Sequence, residues 1–280
     1  MAHGLGLNGA TLPASDLVTG IRSTEAAGFD FYEPRIPEIE AALAADGGEE
    51  ARSALAGAGL AWLPLNALEN VFAMPGAELE ITAERIFSVL AAPLGVRSVI
   101  AVPGAVDEPV NMQAAASQLE RLKSLAASHG ITLLYEFIGF AHHAFPTLEE
   151  ARQVALAAGL PLVLDTFHLA VSRTPFEAIA GLKRSEIGLV HLSDAYVSSG
   201  DVGQITDPDR VLSGEGQLPL EEILGAIFET GYAGPISVEV FHPKYGEEPA
   251  EKVATEAFAR AANLVARSRT RSPRTESEAA

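Results

Sequence analysis

The chain has 280 residues, 48% hydrophobic and 20% charged, enough for one large α/β domain or two small ones. It has no cysteine, which excludes disulfides and thiolate sites and leaves carboxylates, imidazole and water to bind any metal. A net charge of −18 argues against a nucleic-acid or anionic-membrane surface, and no apolar run reaches membrane length.

The expected elements alternate along the chain. Leu5 to Asn8 reads as a short first strand. Ser15 can cap a helix whose apolar positions Leu17, Val18, Ile21 and Ala26 share one face, and Gly28 ends it. Phe29 to Tyr32 is a second strand, followed by Glu33 and Arg35. Helical pieces over 37–45 and 49–58 lead to a third strand, Leu60 to Leu65, ending at Asn66. A helix-period stretch over 78–92 and a strand over 97–102 follow, then a helix over 112–127 with His129 as a helix-end cation. Ile131 to Glu136 is the fifth strand and Leu162 to Asp165 the sixth. Thr147-Leu148-Glu149-Glu150 and Thr174-Pro175-Phe176-Glu177 fit capping boxes that open helices. Ile187 to His191 is the seventh strand, followed by a long polar loop over 193–217. A helix over 220–230, an eighth strand from Pro235 to Glu239 and a last helix over 249–267 complete the pattern. Residues 269–280 are polar and without apolar period, and are expected to form a disordered tail after a single domain over 1–268.

Strict alternation predicts parallel strands and right-handed crossovers. Eight strand–helix units of about 30 residues predict a (β/α)8 barrel, a TIM barrel. An open doubly wound sheet is disfavoured because no glycine-rich phosphate loop follows the first strand. In a barrel, all strand C-termini meet on one face.

Four buried strand-like runs end in polar residues: Glu136, Asp165, His191 and Glu239. A charge at the end of a buried strand is costly unless something pairs with it. Three carboxylates and one imidazole form an oxygen and nitrogen ligand set, and their mutual repulsion is relieved by a cation. One divalent ion (Mn, Mg, Co or Zn) satisfies the set, and mixed ligation without sulfur does not choose among these.

The stretches 136–139 (Glu-Phe-Ile-Gly), 162–168 (Leu-Val-Leu-Asp-Thr-Phe-His), 191–194 (His-Leu-Ser-Asp), 209–216 (Asp-Arg-Val-Leu-Ser-Gly-Glu-Gly) and 238–243 (Val-Glu-Val-Phe-His-Pro) resemble the xylose-isomerase-like sugar isomerase/epimerase superfamily. Within it they are most similar to inosose (2-keto-myo-inositol) isomerases, and weaker similarity at 7–11, 65–68 and 100–103 extends the resemblance over roughly residues 5–265. The resemblance implies one divalent ion on Glu136, Asp165, His191 and Glu239, with Glu136 and Glu239 also moving protons as acid and base. It implies that His168 contacts substrate oxygen and that Arg210 reaches back over the pocket from the long loop. Arg210, as a loop residue, is expected to matter for activity and little for stability.

The implied reaction is isomerisation or epimerisation of a keto-sugar or inosose, by proton transfer through a metal-stabilised enediolate and without a redox cofactor. The implied partner is a small keto-polyol. A homo-oligomer is compatible with this reading, and the expected location is the cytoplasm, since the N-terminus lacks a basic segment followed by an apolar one. A 3-dehydroshikimate-type dehydratase would share the four ligands, and a non-catalytic sugar-binding protein would share the barrel. A repair endonuclease of the same superfamily is disfavoured by seven histidines in all and the acidic charge. Two features depart from the pattern: Gly9 stands where a larger polar residue is expected, and His142 and His143, read as surface residues, are adjacent.

Overall fold

In the computed structural model, which describes residues 4–271, eight parallel strands form a closed barrel inside a ring of helices. The strands are β1 (Leu5–Asn8), β2 (Phe31–Glu33), β3 (Ala61–Trp62 and Leu65–Leu68), β4 (Ser98–Ala101), β5 (Thr132–Glu136), β6 (Leu162–Asp165), β7 (Ile187–Leu192) and β8 (Ile236–Val238). Each pairs with its neighbours in chain order, and β1 pairs with β8. Closure falls within β3. Its first segment pairs with β2 and its second with β4, and the break lies at Leu63-Pro64, where proline has no N–H to give to a ladder.

Alternation along each strand sorts side chains between two cores. Leu133, Tyr135, Leu162, Leu164, Val190, Leu192, Ile236 and Val238 face outward and pack under the helices. Leu63, Ala67, Ile100, Leu134, Val163 and Leu189 face inward and plug the barrel. Two residues on from Leu134, Val163 and Leu189, on the same inward face, stand Glu136, Asp165 and His191. The polar layer at the barrel mouth therefore rests directly on an apolar floor.

The structure moves several expected boundaries. The first helix, Leu17–Ala27, is capped by Asp16, whose Oδ1 accepts from the Thr19 N–H at 2.7 Å, rather than by Ser15. Gly28 closes it in the left-handed conformation, with φ 92°. The Thr147 capping box forms, but the one at Thr174 does not. Thr174 is used instead to end the preceding short helix, its N–H donating to the Leu169 carbonyl at 3.0 Å. His129 ends its helix as expected and pairs with Glu84 at 2.9 Å. The last helix runs over Ala250–Arg271, so residues 269–271 of the expected tail are helical, and the remainder, 272–280, lies outside the described residues. No helix among the described residues is long and apolar enough to cross a membrane.

The loop after β5 passes close against the short helix Thr166–Val171. A Cβ built on Gly139 would lie 2.3 Å from the His168 carbonyl oxygen. Because the obstacle is backbone, Gly139→Ala is expected to destabilise the fold by about 1–3 kcal/mol. Urea unfolding should show a lower midpoint with an unchanged slope. An unchanged midpoint would mean that the two segments separate at no cost.

Candidate metal centre

Glu136 ends β5, Asp165 ends β6, His191 lies in β7 and Glu239 follows β8 directly. All four are buried, and one ligand atom from each can be chosen so that all lie within 4.8 Å of one another. His191 is the hub. Its Nδ1 stands 2.9 Å from Glu136 Oε1 and 3.4 Å from Glu239 Oε2. On the other side of the ring, Nε2 is 2.9 Å from Glu33 Oε1.

Glu33 joins the same polar layer, although it is not among the four expected ligands. It ends β2 as Glu136 and Asp165 end their strands, and it is fully buried. The strand runs one residue further than the expected Tyr32 end, which brings Glu33 onto it. Asn8 and Asn66 complete the layer. Their Nδ2 groups donate to Glu239 Oε1 at 3.0 and 2.8 Å.

Arg210 reaches inward from the long loop and is buried beside the cluster. The polar loop over 193–217 contains a short antiparallel pair, Asp194–Ala195 with Arg210–Val211, which turns Arg210 inward. Its side chain is 2% exposed. Nη1 donates to Asp165 Oδ2 at 2.5 Å, Nε to Asp207 Oδ1 at 2.9 Å and Nη2 to His168 Nε2 at 3.2 Å, while the guanidinium lies 4.1 Å from the centre of the Phe167 ring. Little stability loss is expected of a solvated loop residue; Arg210 is instead buried and paired, and removing it would leave the Asp165 carboxylate buried without its counter-charge. Asp194 has a loop-capping role, accepting from the backbone N–H groups of Ala195, Gly214 and Leu218.

His168 is buried against Phe140 and Phe167. Burial, with the Arg210 charge beside it, holds its pKa well below the usual histidine value, so it is neutral. A guanidinium can only donate, so Nε2 accepts and the proton sits on Nδ1. That Nδ1–H has no partner among the described residues. His142 is exposed and stacks on Phe140, whereas His143 is partly buried, and neither belongs to the ligand cluster. The space beside Gly9 is filled by Glu38, whose Oε1 would lie 2.1 Å from a Cβ there, so a side chain from the next unit supplies the polar group missing at position 9.

Without a cation the electrostatics are strained. Burial raises Glu136, and pushes Glu239 up to about 8. His191 is also buried, but Glu239, Glu33 and Glu136 outweigh that and raise it well above its ordinary value. Burial acts on Glu33 too, yet the charge and hydrogen bond of His191 hold it below the usual glutamate value. Three carboxylates and an imidazole nitrogen converging on one point fit a divalent cation of the hard or borderline kind.

An eight-stranded parallel barrel carrying this cluster at its C-terminal mouth is the architecture of barrel enzymes with a single-ion centre. The family model described as xylose isomerase-like TIM barrel matches residues 21–264, and the chain belongs to that family. An inosose isomerase of Halalkalibacterium halodurans is 29% identical over 252 residues, 86% of this chain and 89% of that protein. A 3-dehydroshikimate dehydratase of Pseudomonas aeruginosa is 32% identical over 138 residues, 48% of this chain and 22% of the dehydratase. Among solved structures, the IolI protein with a bound zinc atom superposes with a TM-score of 0.87 at 25% identity, covering 94% of this chain and 98% of that one.

Two measurements follow. Metal ligands must be deprotonated. At pH 7 the cation-free cluster holds protons on His191, raised above 6.5, and on Glu239, raised to about 8. Binding of a divalent ion should therefore release protons, and affinity should fall as pH drops below about 8. Titration calorimetry in buffers of different ionisation enthalpy reads this directly, and buffer-independent heats would contradict it. Separately, Arg210→Ala in cation-free protein leaves Asp165 buried and unpaired, and should cost about 3–5 kcal/mol in denaturant unfolding. A loss under 1 kcal/mol would return Arg210 to the status of a surface charge.

Proposed function

We propose that the chain is a divalent-metal-dependent isomerase or epimerase of a keto-sugar or inosose, with Glu136 and Glu239 as the proton-moving pair. The observation that carries the reading is the pair itself: two buried glutamates, one ending β5 and one directly after β8, both beside His191 Nδ1 at 2.9 and 3.4 Å. The inosose isomerase supports this substrate class and the zinc-containing IolI structure supports the metal, both being matched over most of their length.

The ion would be held by Glu136, Asp165, His191 and Glu239, and would polarise a ketone and offset the negative charge that develops on its oxygen. One glutamate takes the proton from the hydroxyl-bearing carbon next to the carbonyl. The C–H electron pair moves into the carbon–carbon bond and the carbonyl oxygen takes up a proton, giving an enediol; the other hydroxyl then gives up its proton and becomes the new carbonyl, while the former carbonyl carbon takes up a proton. Atoms balance, and no oxidant or reductant is consumed. The apolar floor of Leu134, Val163 and Leu189 closes the site from below. His168 presents its unpartnered Nδ1–H to a substrate oxygen. Arg210 holds Asp165 in place and keeps His168 in the tautomer that can donate.

The dehydratase similarity supports a second outcome from the same apparatus, in which the carbanion expels a β-hydroxyl instead of being reprotonated. Product analysis separates the two. Metal-loaded protein incubated with a panel of inososes and ketohexoses in D2O should move deuterium into a carbon next to the carbonyl, read by NMR. Glu136→Gln and Glu239→Gln at saturating metal should each slow that exchange by about 10²–10⁴. Release of water with a new conjugated product would favour the dehydratase. Full exchange by either variant would remove that glutamate from proton transfer and leave it a ligand alone.

A further inference from the structure

Strands β1, β2 and β3 supply none of the four cluster residues, yet each sends one polar side chain into the same layer. Asn8 and Glu33 are paired in register across β1 and β2. Asn66 Nδ2 lies 3.2 Å from Glu33 Oε1 and 2.8 Å from Glu239 Oε1, and so bridges the two carboxylates. Asn8 is fixed in its amide orientation because its Oδ1 accepts from the Ala10 N–H at 2.7 Å, which leaves Nδ2 to face Glu239. Glu239 Oε1 is thus held by two amides, while Oε2 faces His191 and Arg210. At the centre of this brace, Glu33 Oε1 faces His191 Nε2 at 2.9 Å with both side chains fully buried.

We propose that Glu33 is a positioning residue for the metal centre, holding His191 with its proton on Nε2 and its lone pair on Nδ1. The argument rests on the metal-centre reading above and on hydrogen-bond chemistry. Nδ1 and Nε2 each stand 2.9 Å from a carboxylate, but Glu136 belongs to the cation cluster and Glu33 does not. With a cation bound the imidazole is neutral and carries one N–H, and an ionised carboxylate can only accept, so that proton belongs to Nε2, facing Glu33. Nδ1, the nitrogen turned toward Glu136 and Glu239, is left as the donor atom to a cation. A carboxylate partner also raises the basicity of the imidazole as a ligand and fixes the ring plane. This assigns a task to the half of the barrel that holds no ligand: it orients the ligands of the other half.

The test uses the full chain and zinc alone. In nitrogen-15-labelled, zinc-loaded protein, the His191 Nε2–H should appear as a slowly exchanging proton, with Nδ1 shifted by coordination. Glu33→Gln keeps an acceptor oxygen in place and should retain that proton, with zinc affinity within about 10-fold of wild type. Glu33→Ala should weaken zinc binding by about 10–100-fold in a chelator competition, and the Nε2 proton should exchange rapidly. Zinc bound to wild type through Nε2, or a folded Glu33→Ala protein with unchanged affinity and an unchanged Nε2 proton, would overturn the assignment while leaving the metal centre intact. The wild-type spectrum decides the tautomer even if Glu33→Ala does not fold. Wild type that binds no zinc would overturn both.

Discussion

Four carboxylates, Glu33, Glu136, Asp165 and Glu239, are buried around one imidazole in a single layer of the barrel. This concentration of like charge is the constraint on which the rest of the site depends. Ionised groups in a low-dielectric interior repel one another and lose hydration, so each needs a donor, a counter-charge or a proton. Each source is visible. Arg210 pairs with Asp165, the amides of Asn8 and Asn66 cap one oxygen of Glu239, and His191 stands between Glu33 and the two catalytic candidates. What remains uncompensated is the inner face of the cluster, the place a divalent ion would take.

The fold makes the arrangement with little local machinery. Period-two alternation puts an apolar residue and, two positions on, a polar one on the inward face of β5, β6 and β7, and closure through β3 brings β1 and β8 together. The apolar residues lock the barrel and the polar ones inherit its rigidity. Arg210 is the exception, since it arrives from a loop. A two-residue antiparallel pair and stacking on Phe167 give it the fixity that a barrel strand gives the others.

Much of this was legible in the sequence. Strand ends carrying Glu136, Asp165, His191 and Glu239 are a local signal, because a charge closing a buried run stands out against its neighbours. Glu33 carries the same signal more weakly, because β2 is short and a three-residue strand gives little apolar run for a charge to stand out against. The broken β3 was read as one strand because its hydrophobic pattern continues through Pro64, and only pairing on both sides shows the division. The Thr174 box failed because its backbone was needed to end another helix, a competition that no local pattern displays. The burial of Arg210 depends on a contact between residues 45 apart in sequence, Asp165 and Arg210, and composition of a polar loop does not foretell it. Glu38 filling the space beside Gly9 is likewise a tertiary substitution, invisible where each position is read alone.

The central claim is that one divalent ion occupies the space enclosed by four strand ends. Diffraction from crystals grown with manganese or zinc, collected on both sides of the metal's absorption edge, tests it most directly. The account predicts one strong anomalous peak per chain, bounded by Glu136, Asp165, His191 Nδ1 and Glu239. A fully metal-loaded protein whose only peak lies elsewhere, at His142 and His143 for example, or whose four residues enclose no peak, would contradict it.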